Sequence, residues 1–225
     1  MRKTSAGSSS SAEIHKPETK VILFLSDALG IYHPNPQLLA DSFATQLSCD
    51  VVMPDQLSGH ARPLVNTDPS PAIFEAWKAA HEPDATDPIL EKVLAYIRTT
   101  YGKDVKIGGV GYCFGGRYVI RLMGAGAIDV GVINHPSFFT MDEVHKLGEG
   151  KRLAIYAAEI DDILTPEKRR ETEDVLEETG ASWMSTLFSG TEHGFTVRGD
   201  LNVKEVRLAK EKAFRGAVEW FQDWL

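Results

Sequence analysis

The chain has 225 residues, 43% hydrophobic and 25% charged, the profile of one soluble globular domain large enough to bury a full core. Its two cysteines cannot build a disulfide framework, no Cys/His spacing marks a metal site, and a reducing, cytoplasmic setting is expected. No apolar run reaches the roughly eighteen residues of a membrane span, and a net charge of −8 argues against a phosphate backbone as partner, leaving a small-molecule substrate.

Residues 1–20 are the low-complexity stretch, with Ser5, Ser8, Ser9, Ser10 and Ser11 and little to bury, and read as a disordered arm. From Val21 onward, β-rich runs alternate with helical periodicity. Val21–Ser26 predicts a strand, Pro36–Leu47 a helix and Val51–Pro54 a second strand. Asp55–Pro71, punctuated by Gly59, Pro63, Pro69 and Pro71, has no regular pattern and suits a lid or binding loop. Helices follow over Pro71–Ala80 and Pro88–Tyr101, then a strand at Val105–Val110 and a helix at Phe114–Gly124. Strands at Val130–Asn134, Leu153–Ala158 and Trp183–Phe188 flank a helix at Thr165–Thr179. The last helix, Val203–Leu225, places Val206, Ala209, Ala213, Ala217, Trp220 and Trp224 on one stripe, a packing face. Strand and helix in alternation give a single α/β domain over residues 21–225: a mostly parallel sheet with helices on both faces, its chemistry at the carboxyl ends of the strands.

Val105–Met123 is the most informative segment: a strand, then Gly111-Tyr112-Cys113-Phe114-Gly115-Gly116, then a helix. This is the pattern of a nucleophile elbow with cysteine as nucleophile. A sharp strand-to-helix turn strains the nucleophile's backbone and crowds the positions two before and two after it, where Gly111 and Gly115 stand. The helix N-terminus aims free N–H groups at the thiol, favouring its ionised form and offering a donor to an oxyanion. Cys49 lacks such a frame and reads as a small core residue.

A thiol that attacks acyl groups works with an imidazole base oriented by a carboxylate, in the chain order nucleophile, acid, histidine. Asp161 and Asp162 follow the strand Leu153–Ala158, and His193 follows the last strand. Asp161 is taken as the acid, with Asp162 in reserve. His15 lies in the arm, His33, His60 and His81 in polar loops or helix ends, and His145 in a charged stretch. His135 ends a strand on the right side of the sheet but precedes the acid, which makes it a wall residue rather than the base.

With Gly-Tyr-Cys-Phe-Gly-Gly at 111–116, Ala-Glu-Ile-Asp at 158–161 and His-Gly-Phe at 193–195, the chain resembles the dienelactone hydrolase family, its fungal members in particular, from about Val21 to the C-terminus. The resemblance implies an α/β-hydrolase fold and cofactor-free, metal-free hydrolysis of a small ester, lactone or thioester through Cys113, Asp161 and His193. It implies an acid after the first core strand that contacts the resting thiol, here Asp27, shorter than the glutamate of bacterial members. It places oxyanion donors on the backbone of Ala28 and Phe114, and an anion-holding arginine shortly after the histidine, here Arg198. Arg62 is a weaker second candidate, and Arg117 on the elbow helix reads as solvated. Tyr112 and His135 complete the expected substrate-binding residues. Family members carry further strands ahead of Val21–Ser26. The N-terminal strands are therefore expected to be reduced, leaving an open sheet edge that allows a homodimer. Three alternatives keep the scaffold: a lyase, isomerase or cyclase using His193 as base, a glyoxalase-like or redox protein pairing Cys113 with Asp27, and a binding protein without catalysis.

Overall fold

Val21 through Leu25 are all fully buried, which a strand achieves when both faces of its sheet are covered. In the computed structural model, which describes residues 2–4, 20–63 and 71–225, this run divides between two cores. Val21, Leu23 and Leu25 join one, and Ile22 and Phe24 the other, following the two-residue alternation of a strand.

The elements begin with β1 (Arg2–Thr4), β2 (Lys20–Leu25), α1 (Pro34–Leu47) and β3 (Asp50–Met53). Then come α2 (Pro71–Ala79), α3 (Pro83–Tyr101), β4 (Lys106–Tyr112), α4 (Phe114–Gly124), β5 (Val130–Asn134) and α5 (Met141–Val144). The chain closes with β6 (Arg152–Ile160), α6 (Pro166–Thr179), β7 (Ser182–Glu192), α7 (Phe195–Arg198) and α8 (Lys204–Trp224). The sheet order is β1-β3-β2-β4-β5-β6-β7, parallel throughout except for the antiparallel pair β1 and β3. This is the α/β-hydrolase arrangement expected from the sequence. Leu39 and Phe43 of α1 and Ala213, Ala217 and Phe221 of α8 fill one face. Leu90 and Ile97 of α3, Tyr118 and Met123 of α4 and Leu176 of α6 fill the other.

Three elements depart from the sequence reading. Arg2–Thr4, assigned there to a disordered arm, pairs with β3 and supplies partners to backbone groups that an open edge would leave unmatched. Lys20, the last residue of that arm, opens β2, while residues 1 and 5–19 and residues 64–70 of the expected lid lie outside the described residues. Helix α3 starts at Pro83 rather than Pro88, because a proline in the first turn needs no N–H and already has helical φ. On α8 the alanine stripe is buried, but Trp224 at the helix end is 45% exposed.

Strands β2, β4, β5, β6 and β7 finish on the same side of the sheet. The loops leaving them carry Asp27, Cys113, Ser137, Asp161 and His193 in turn.

Candidate active site

Between the end of β4 and the start of α4 there is room for one residue, Cys113, and its backbone takes φ 49° and ψ −110°. A non-glycine residue pays for that conformation in steric strain unless its surroundings fix it. Here the Cys113 N–H donates to the Asn134 carbonyl at 3.0 Å, and the Cys113 carbonyl accepts from Ser137 N–H at 3.0 Å and Gly116 N–H at 3.1 Å. A Cβ on Gly111 would lie 2.5 Å from the Gly115 carbonyl oxygen, and one on Gly115 would collide with the Leu25 carbonyl. Gly115→Ala is expected to lower stability by about 1–2 kcal/mol, read as a drop in the denaturant midpoint; an unchanged midpoint would contradict the close approach.

Asp161 and His193 are brought level by a bulge. From Ala158 to Ile160 strand β6 advances two residues, while β7 advances four, from Phe188 to Glu192. Glu159 holds the extra residues by accepting from Gly190 N–H at 2.7 Å and Ser189 Oγ at 2.9 Å. The His193 N–H then donates to the Ile160 carbonyl at 3.1 Å, and His193 Nδ1 lies 2.7 Å from Asp161 Oδ2. The other carboxylate oxygen of Asp161 accepts from Ile163 and Leu164 N–H, both at 2.9 Å. Asp162 is exposed. Burial works against the ionised Asp161 carboxylate, but His193 and the two N–H donors outweigh it and hold its pKa below the usual range. Burial likewise opposes protonation of His193, yet Asp161 and the Cys113 sulfur lift it to about 9.

Cys113 and His193 stand at one end of a cavity of about 220 Å³. Its walls include Ala28, Leu29, Phe138 and Ile163, with Phe74 and Trp77 contributed by α2. Arg62 enters this cavity, its guanidinium 4.9 Å above the Phe74 ring. Among the described groups none accepts from the N–H of Ala28 or Phe114; Ala28 shares the cavity wall with Cys113, and Phe114 is its chain neighbour at the start of α4. Among the described residues no cluster of His, Cys, Asp and Glu is arranged to hold a metal ion, and no described helix is long and apolar enough to cross a membrane.

Several expected residues take other places. Asp27 is fully buried; its Oδ1 accepts from Leu29 N–H at 3.0 Å and its Oδ2 from Arg198 Nη1 at 2.9 Å. Its hydrogen bonds thus go to its own turn and to the arginine, not to the thiol. Burial raises its pKa against the opposing pull of Arg198. Arg198 lines the cavity but carries this carboxylate already. Tyr112 is not a cavity wall: as the last strand residue it points to the opposite core, where it stacks on Phe24 at 4.9 Å. His135 is fully buried behind His193, their rings 4.9 Å apart, with its Nε2 2.7 Å from Thr196 Oγ1. Burial, reinforced by His193 and Arg198, keeps it neutral. Arg117 is not solvated either. Its Nε lies 3.1 Å from Glu143 Oε1 and its Nη1 2.7 Å from Glu82 Oε2, a network that Arg121 extends to Asp87. Position, not composition, decides these cases, since each depends on which neighbouring element the side chain meets.

The sequence reading missed Ser137, whose Oγ donates to Cys113 Sγ at 3.2 Å. The available signal was a hydroxyl residue three positions beyond the end of a strand that finishes beside the elbow.

A sequence model described as the dienelactone hydrolase family matches residues 9–225. The fungal protein named hydrolase pyvD, from Aspergillus violaceofuscus, is 42% identical over 93% of this chain and 83% of its own length. Dienlactone hydrolase 1 of Gibberella moniliformis is 31% identical over 94% of this chain and 84% of its own. Among solved structures, a putative dienelactone hydrolase from Klebsiella pneumoniae superposes with a TM-score of 0.77 at 15% identity, covering 98% of this chain and 97% of the other.

Proposed function

This chain belongs to the dienelactone hydrolase family and is an ester or lactone hydrolase, and from that premise we propose that it works through a Cys113 acyl-enzyme with His193 and Asp161 as its acid–base pair. The observation that carries the reading is His193, fixed through Nδ1 on a buried carboxylate so that Nε2 faces the elbow.

In this reading the substrate carbonyl rests against the Cys113 sulfur with its oxygen toward the N–H groups of Ala28 and Phe114. The sulfur attacks, the carbonyl π electrons move to oxygen, and those N–H groups hold the negative charge. Collapse breaks the C–O bond, and the departing alkoxide takes the Nε2 proton from His193. Neutral His193 then removes a proton from water as it attacks the thioester. The second tetrahedral intermediate expels the sulfur, releasing the acid with His193 protonated again. Alkoxide and enolate leave readily from such an intermediate, as does thiolate when the bond broken is C–S, whereas amide nitrogen does not, so small esters, lactones and thioesters fit and peptides do not.

Pure protein mixed with p-nitrophenyl acetate should give a burst and an acetyl group on Cys113 by mass spectrometry. Cys113→Ala should give neither, and His193→Ala should fail to turn the adduct over. Equal rates in all three proteins with no adduct would sink the triad and favour a lyase or isomerase using the same pocket.

A further inference from the structure

The loop after β5 grips the nucleophile at successive points. Asn134 takes the Cys113 N–H, Ser137 N–H reaches the Cys113 carbonyl, and the Ser137 hydroxyl donates to Cys113 Sγ at 3.2 Å. The same oxygen lies 3.5 Å from His193 Nε2. Ser137 is fully buried, so bulk water does not compete for its hydroxyl. To present both its N–H and its O–H to Cys113, the loop takes φ 37° at His135 and 63° at Phe138. Non-glycine residues in that region are strained and persist where the surroundings enforce them, a pattern concentrated at functional sites.

We propose that Ser137 is a further catalytic residue: its hydroxyl donates to the ionised Cys113 sulfur while its oxygen faces the Nε2–H of protonated His193, holding the charged pair ready on either side of one hydroxyl. The proposal rests on Cys113 being the nucleophile. When the sulfur pair enters the new C–S bond, the hydrogen bond from Ser137 is released and Ser137 keeps its proton. The Nε2 proton goes to the leaving oxygen, not through Ser137. When the thioester is hydrolysed, the sulfur regains its pair and the hydroxyl turns back to it. A donor to a charged acceptor stabilises that form over its neutral one, so loss of this hydroxyl removes a contact that favours the attacking, ionised sulfur.

The test compares Ser137→Ala, Ser137→Val and Ser137→Thr, the last two differing in the hydroxyl but little in volume. Two quantities are read in the intact protein: kcat and KM on p-nitrophenyl acetate, and the pH midpoint of Cys113 alkylation by iodoacetamide. His193 with Asp161 behind it, buried neutral His135, the Asp27–Arg198 pair and Arg62 also face or back this site and are common to all variants. Ala and Val should lower kcat about tenfold or more with KM little changed, and move the midpoint up by roughly one pH unit. Thr should recover most of both. Parent-like midpoints in Ala and Val, or identical behaviour of Thr and Val, would overturn the proposal. Cys113→Ala run alongside separates the two failures: parent-like turnover there removes the nucleophile itself, whereas a dead Cys113→Ala with unaffected Ser137 variants removes the serine's role alone.

Discussion

Asp161→Asn is expected to leave the fold intact and lower kcat by about 10⁴-fold, the loss found where an orienting carboxylate of this kind becomes an amide. In the proposed mechanism the carboxylate, 2.7 Å from His193 Nδ1, accepts its proton and so keeps Nε2 for the chemistry. An amide in its place presents N–H₂ to Nδ1 and favours the opposite tautomer. Its negative charge also helps lift His193 to about 9, so without it the burial of His193 acts with less opposition and the midpoint falls toward or below the ordinary 6.5. The sign for stability follows. A histidine whose folded pKa is raised contributes stability that is fully present below about pH 6.5 and is lost as pH climbs through about 9. Asp161, with its pKa depressed, contributes above its usual 3.8 and loses that contribution as pH falls through its folded value. Thermal unfolding from pH 6 to 9.5 should therefore show the parent declining and Asp161→Asn nearly flat, apart from changes common to both. A kcat within tenfold of the parent, or parallel pH curves, would remove Asp161 from the mechanism.

Arg198→Met should cost about 3 kcal/mol at pH 7, the low end for breaking a buried ion pair because the Arg198 side chain is 36% exposed and partly screened. It leaves the Asp27 carboxylate in a site without solvent, with the Leu29 N–H as its remaining hydrogen bond in this structure. Asp27 already has a raised pKa from burial, and Arg198 is the foremost influence restraining it. A carboxylate raised in the fold contributes stability fully present below 3.8 and lost as pH rises through its folded pKa. In the variant that folded pKa is higher still, so the deficit against the parent should be largest at neutral pH and close as pH falls toward 4. Denaturant midpoints of both proteins at pH 4.5 and 7 measure it. A deficit independent of pH would mean that Arg198 contributes by packing rather than by charge.

These pairs also show where sequence reasoning stops. The run from Val21 to Leu25 could be read as a two-sided strand because burial on both faces leaves no polar alternation. The elbow was legible because crowding at Gly111 and Gly115 permits few residue types, and chain order singled out His193. Which of the tandem aspartates faces His193 depended on a bulge opposite Ala158 and Ile160, and a bulge leaves little trace beyond Gly190. Tyr112, next to the cysteine, and His135, at the end of a strand on the same side of the sheet, were read as pocket residues. Strand alternation sends the first to the opposite core, and a left-handed turn sends the second behind the base. Arg117 looked solvated because its partners Glu82 and Glu143 come from α3 and its approach and from α5, and α5 is too short to show a period. Ser137 carried no motif at all, since a lone serine near a strand end is commonplace until the cysteine across the sheet is seen beneath it.

Cys113, Ser137, Asp161 and His193 arrive from the ends of four strands, and the ion pair beside them joins residues 171 positions apart. No stretch of local structure holds even Asp161, His193 and Cys113 together. Such non-local closure comes late and slowly in folding. Recovery of turnover during refolding should therefore lag recovery of helical signal, because the site exists only once the strand ends have met.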